Sequence, residues 1–295
     1  MVSEMMVRKK ALKIQERLGM RIGIAYGISA LPLVKNTSQV LTVLRELYKI
    51  GMKAFVLPKE LFSGIRSATD LYKTEYGNLL KIRDEARRYN IELSLRHEAL
   101  PQEPDEVMRT FATIAAVMDC RTCVFNPAFY SRIMAPAQAL QLAVYKINEV
   151  VGSLRAPSKI ALETTGRVAE VGSLEQVLDI VKRTQGTEPV INWGNIHARG
   201  AGALKSQRDF EFVLNEVRST LGSRWLEQAY FIFSGVSYGP SGLIKTIPLE
   251  RSDISLEHMV KASMSQNVKG TLIIDDPKKE DFILRNMDSL ADMVR

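Results

Sequence analysis

KIALETTGRVAEVGSLEQVLDIVKRTQGTEPVINWGN, residues 159–195, contains one complete strand-helix-strand period. A short apolar run ends on Glu163 and two threonines. Ser173 and Gln176 then form a capping-box pair ahead of Val177, Leu178 and Val181 at helical spacing, and a second apolar run closes at Trp193. Moving outward in both directions, the same alternation occurs eight times, with strands expected at 21–27, 54–58, 91–96, 122–126, 159–164, 189–193, 229–234 and 270–275. Their starts lie about 30 to 40 residues apart, the length of one βα unit in a closed parallel barrel, and such a barrel needs about 250 residues. The helices between them are punctuated. Asn36, Thr37 and Ser38 offer an N-cap to a helix in which Val40, Leu44, Leu47 and Tyr48 share a face and which Gly51 ends, and Gly222 closes the helix holding Phe212, Val213 and Val217. The pattern predicts an α/β fold, a (β/α)8 TIM barrel over residues 21–295, preceded by a helical extension over residues 1–20. An open doubly wound sheet also alternates strands and helices, but it usually carries a Gly-rich first turn, which YGISALP after the first strand is not.

The chain has 46% hydrophobic and 25% charged residues and no apolar run approaching the roughly 20 residues of a membrane span, so a soluble protein without membrane attachment is expected. The first twenty residues are interrupted by charges and lack the apolar stretch of a secretory signal, which predicts a cytoplasmic protein with an amphipathic N-terminal helix. Forty Lys and Arg against thirty-three Asp and Glu leave a net charge of +7, a balance that suits a polyanionic partner such as DNA or RNA. The two cysteines, Cys120 and Cys123, cannot by themselves complete a four-ligand zinc site; they stand as free thiols beside a strand or as a local disulfide.

In a barrel of this kind the reactive groups stand at the C-terminal ends of the strands and in the loops that follow. Those positions hold Lys59, Arg96, His97, Asn126, Glu163, Asn192, Asn195, His197, Ser234, Asp275 and Asp276. Two longer stretches, HARGAGALKS after the sixth strand and GVSYGPSGLIKTIPLERSD after the seventh, add Arg199, Lys205, Tyr238 and Lys245 beside glycines that let backbone approach a ligand, or else form solvated connectors. The set is rich in amides and cations and poor in metal ligands. With three histidines in the chain, one of them His258 within a helical stretch, a multinuclear zinc centre is not expected; a single weakly held divalent ion at Glu163 and Asp275 is the most the donors allow.

The segments 161–178, 191–202 and 233–253 resemble the archaeal branch of the endonuclease IV-like proteins, members of the xylose isomerase-like barrels. The likeness runs from the first strand to the C-terminus. It implies a barrel that binds several zinc ions and cuts DNA beside abasic sites, with Glu163 at the position of the family's bridging glutamate. Most other ligand positions have changed. Arg96 falls on a family histidine, with His97 one step off and pointing the other way by strand alternation; Asn126 replaces a histidine, Asn192 and Asn195 an aspartate and a histidine, and Asp275 a glutamate. Tyr230, Ile232 and Thr246 hold three further histidine positions. An arginine at a former ligand position carries a fixed charge where a cation sat, which predicts an Arg96–Glu163 ion pair in a pocket without metal.

Three functions follow. The first is a non-hydrolytic nucleic-acid-binding protein that uses Lys59, Arg96, Asn126, Asn192, Asn195, His197, Arg199, Lys205, Tyr238 and Lys245, with Glu163 and Asp275 as residual catalytic groups. The second is a subunit that docks a protein partner through the N-terminal helix. The third is a surviving enzyme of the nuclease or sugar isomerase type.

Overall fold

Eight parallel strands close into a barrel in the computed structural model, which describes residues 4–65, 67, 70–97, 104–131, 133–154 and 160–295. In chain order the strands are β1 Met20–Ala25, β2 Ala54–Pro58, β3 Glu92–His97, β4 Thr122–Phe125, β5 Ile160–Glu163, β6 Thr187–Asn192, β7 Ala229–Phe233, a two-stranded ribbon of β8 Gly235–Gly239 and β9 Gly242–Ile247, and β10 Gly270–Ile274. Around the barrel each strand pairs with its sequence neighbour, and β10 closes the ring between β7 and β1. This is the predicted (β/α)8 architecture. The boundaries shift by a residue or two for physical reasons: β1 stops at Ala25 because Tyr26 takes a left-handed φ of 72°, and Lys159, expected to open the fifth strand, lies outside the described residues.

Small and β-branched side chains fill the inside of the barrel, among them Ala25, Val56, Val124, Ala161, Val190 and Ile232. Their strand neighbours, such as Phe55, Leu57 and Phe231, point outward into a second, larger core under the helices. Each large side chain fully buried there contributes roughly 1.5–3 kcal/mol. The helix Thr37–Ile50 shows how the outer layer is built. Asn36 accepts from the Gln39 amide at 3.0 Å, Gly51 ends the helix at φ 81°, and Val40, Val43, Leu44 and Leu47 are buried. Tyr48, expected on that same face, sits at its margin instead, stacked on Tyr89 with ring centres 4.7 Å apart.

The N-terminal helix Glu4–Leu18 is part of this layer and not a free extension. Ala11, Ile14 and Leu18 are buried in the outer core, and the Gln15 amide donates to the Gly51 carbonyl at 2.8 Å while its oxygen accepts from the Ile22 amide at 2.7 Å. One side chain therefore ties this helix to both β1 and the end of the next helix. No helix among the described residues is long and apolar enough to cross a membrane.

Both stretches read as long loops are ordered. The one after β6 begins as the helix Trp193–Arg199 and turns through Ala201 and Gly202, both at positive φ; a Cβ on Gly202 would lie 2.2 Å from the Tyr238 hydroxyl. The one after β7 is the antiparallel β8–β9 ribbon, with an irregularity between Ser237 and Tyr238. Glycine at 242, with φ 88°, lets the ribbon cross the Gly166 carbonyl closely enough for the Leu243 amide to donate to it at 2.8 Å. The ribbon thus becomes a wall of the barrel mouth.

Candidate functional site

Parallel strands bring their C-terminal ends to one face, and Arg96 of β3, Glu163 of β5, Asn192 of β6 and Asp275, next after β10, meet there. The Arg96 guanidinium is the centre of the arrangement. Its Nε and Nη2 donate in parallel to the two Glu163 oxygens at 2.7 and 2.5 Å, and its Nη1 donates to Asp275 at 2.8 Å and to the Tyr26 hydroxyl at 3.0 Å. The Asn192 amide donates to Glu163 Oε1 at 2.7 Å. The expected Arg96–Glu163 pair is present, and Asp275 joins it. Burial works against the guanidinium charge, but Glu163, Tyr26 and Asp275 outweigh it and hold the Arg96 pKa well above its ordinary value. The Tyr26 hydroxyl is pushed upward in its turn, chiefly by burial.

This network floors a cavity of about 440 Å³. Of the twelve predicted site residues, seven line it: Lys59, Arg96, Asn126, Glu163, Asn192, Asn195 and Asp275. Several side chains are already committed. The Asn126 oxygen accepts from the Ala128 amide at 2.8 Å, and the Asn195 amide donates to the Thr164 carbonyl at 2.8 Å, which leaves the Asn126 NH2 and the Asn195 oxygen for the cavity. The sequence reading missed Tyr26, Leu33, Glu60 and Leu243. Tyr26 carries no periodic signal, because a left-handed tyrosine immediately after a strand cannot be read from residue type.

The other five predicted residues do not line this cavity. His197 is fully buried; its Nδ1 accepts from the Leu204 amide at 3.1 Å, so its Nε2 donates to Asp253 at 3.0 Å. Tyr238 donates to the other Asp253 oxygen at 2.6 Å, and the pair locks the ribbon to the helix after β6. Arg199 donates to the Thr165 hydroxyl and to the carbonyls of Arg167, Val168 and Glu170, at 2.6 to 3.1 Å, fixing the loop after β5. Lys205 is exposed, and its backbone amide bonds the Asp209 carboxylate. Lys245 is exposed on β9 next to cavity-lining Thr246, and strand alternation turns it away. Asp276, also at a strand end, is buried and accepts from the Leu249 and Lys278 amides, both at 2.7 Å. Cys120 and Cys123 are free thiols, and burial pushes both upward in pKa.

The residues present do not fit a divalent metal ion. Among the described residues no group of three or more His, Cys, Asp and Glu is placed to hold one. Glu163 and Asp275 both spend their charge on Arg96, and an ion reaching either oxygen set would stand against a fixed guanidinium. The amides of Asn126, Asn192 and Asn195 are neutral and weak ligands by comparison.

His97, the residue after Arg96, lines the rim and stacks on Phe111 with ring centres 4.3 Å apart. Its Nδ1 is buried without a partner among the described residues. Burial, with a smaller contribution from Lys59, lowers its pKa to about 4. A histidine depressed below its unfolded value of about 6.5 favours the neutral ring, so its contribution to stability is present above that value and lost as pH falls toward 4. The urea midpoint of the protein is expected to fall over that window. His97→Gln is expected to fall less, and parallel curves for the two would show that His97 does not titrate as the geometry requires.

No family model matches the chain. An uncharacterised protein of Methanocaldococcus jannaschii is 23% identical over 265 residues, covering 88% of this chain and 94% of its own. Among solved structures, D-psicose 3-epimerase from Clostridium cellulolyticum H10 superposes with a TM-score of 0.63 at 12% identity, over 94% of this chain and 98% of that one. A xylose isomerase domain protein from Planctomyces limnophilus gives 0.63 at 10%, over 93% and 98%, and an IolI protein with a bound zinc atom gives 0.60 at 11%, over 92% and 95%. The fold these structures share with this chain is the (β/α)8 TIM barrel. At these identities the likeness is one of fold, and chemistry has to be argued from the site.

Proposed function

We propose that this barrel is a binding protein that works without a metal ion, an endonuclease IV-like or sugar-epimerase-like scaffold whose mouth receives a polar ligand and does not hydrolyse it. The carrying observation is the Arg96 guanidinium held between Glu163 and Asp275 at the centre of the mouth. Metal-dependent barrels activate water or a substrate oxygen with a Lewis acid; here a side chain that cannot give up its proton supplies the positive charge, and four of its five N–H groups are spent on protein oxygens. What remains is a concave, largely preformed cavity with a few convergent polar groups, in the size range of small-ligand sites. The test is a cleavage assay on an abasic duplex with zinc or magnesium added, run beside elemental analysis of the purified protein. No cutting and no stoichiometric metal are expected; cutting that tracks bound metal would restore the enzyme.

A second reading, binding to DNA or RNA, draws support from the net charge of +7 and from the exposed Lys59, Lys205 and Lys245. It is separable by salt, since contacts to phosphates weaken linearly on a logarithmic salt scale. Docking of a protein partner through the N-terminal helix has less to draw on, because that helix spends Ala11, Ile14 and Leu18 on the barrel core.

A further inference from the structure

The charges lining the mouth do not suit a phosphate. Lys59 and Arg96 give two positive charges among the described lining residues, against three negative from Glu60, Glu163 and Asp275. Arg96 is already neutralised by its two carboxylates, and Lys59, exposed at the rim, is followed in the chain by Glu60. An anion entering here would meet a net negative wall, with Lys59 at the rim as the one cation among the described lining residues not already paired with carboxylates; the buried Lys279 stands behind Tyr26, outside the lining.

The uncommitted groups instead form a mixed set of donors and acceptors. The Tyr26 hydroxyl accepts from Arg96, and its own proton has no acceptor among the described residues. Its place is fixed by an unusual backbone. Tyr26 sits at φ 72°, and Lys279 at φ 53° and ψ −132°, with the Lys279 ammonium 5.5 Å from the centre of the tyrosine ring and 3.1 Å from the Ala25 carbonyl. Two non-glycine residues at positive φ packed against each other are costly, and they persist where surrounding structure overdetermines them. The same cavity is lined by the Asn126 NH2, the Asn195 oxygen and the Asp275 oxygen that Arg96 does not use. Neighbouring hydroxyls on a sugar ring, each both donor and acceptor, match such a set. Leu33 and Leu243 line the same cavity, so the ligand also carries an apolar or flat face.

Resting on the metal-free reading above, we infer that the mouth accepts an uncharged ring sugar bearing a flat or apolar substituent, a nucleoside or an aryl glycoside, discriminates against the phosphorylated form, and uses the Tyr26 hydroxyl as a ligand donor. The experiment is calorimetric titration of the full chain with adenosine, phenyl β-D-xyloside, methyl β-D-xyloside and adenosine 5′-monophosphate at up to millimolar concentrations. Saturable binding of adenosine or the phenyl glycoside is expected, weaker by about tenfold for the monophosphate and for the methyl glycoside. The probe that binds tighter tells a nucleobase from a simple aryl group. Tyr26→Phe keeps the ring and its backbone and is expected to lose about tenfold in affinity, with a thermal midpoint lowered by only about 2–4 °C for the hydrogen bond that Arg96 loses, far less than the loss expected for Arg96→Met. Preference for the monophosphate, saturation by none of the neutral probes, or Tyr26→Phe binding as tightly as the parent would each overturn the inference. Elemental analysis of the same sample separates the two levels: stoichiometric zinc ends the metal-free reading itself, whereas a metal-free sample that prefers the monophosphate ends only the choice of ligand.

Discussion

Arg96→Met is expected to destabilise the protein by about 3–5 kcal/mol, the range found when one partner of a buried ion pair is removed and the other charge stays behind. Here two carboxylates would be left. Glu163 is almost fully buried and Asp275 largely so, and only Asn192 and the more distant Asn195 amide would remain as donors to Glu163. At roughly 2–4 °C per kcal/mol for a large single domain, the thermal midpoint should drop by about 6–20 °C. Arg96→Lys should fall between the two, because an ammonium keeps the charge but cannot offer the parallel pair of N–H groups that Glu163 accepts. Coupling separates loss of charge from loss of packing. Adding Glu163→Gln to Arg96→Met removes one stranded charge and should recover part of the stability, a non-additivity expected only for groups in contact. If Arg96→Met melts with the parent, the guanidinium is not the keystone of the mouth.

That ion pair was legible in the sequence because it needs only two steps. Period places residues 96 and 163 at strand ends on one face, and a long arginine side chain reaches across the barrel mouth from the third strand to the fifth. The barrel itself was legible for the same reason, since each strand and each cap is a local pattern. What local pattern does not encode is which long side chain turns inward. Arg199 looked like a ligand cation in a glycine-rich loop, but the carbonyls at 167, 168 and 170 are turned toward it by a tertiary arrangement. His197 looked like a nucleic-acid contact, but Asp253, 56 residues away, is its partner. The ribbon after β7 had a readable signal: Pro240, Ser241 and Gly242 between two runs of alternating residues are hairpin punctuation. Tyr26 had none, because a left-handed φ at a tyrosine is imposed by its surroundings.

Arg96→His combined with Asn126→His is expected to turn the mouth into a zinc site. The first change releases Glu163 and Asp275 from the guanidinium and offers an imidazole in its place. The second offers another from the neighbouring strand. Arg96 pairs in register with Val124, whose side chain points into the barrel, and residue 126 falls two positions further on the same face. Two imidazoles and two carboxylates are a sufficient tetrahedral set, and the gain should be close to all or none, from a trace to about one zinc per chain by elemental analysis. Binding to the folded state alone also raises stability with free metal, by about 2.7 kcal/mol at a hundredfold excess over the dissociation constant. A chelator should therefore lower the melting point of the double variant and leave the parent unmoved. Arg96→His alone separates the two contributions: if charge repulsion is what bars the metal, that single change should already admit a weakly held ion. Stoichiometric zinc in the unmodified protein would mean that Arg96 swings out of its double pairing, and the electrostatic basis of the binding-protein reading would fail with it.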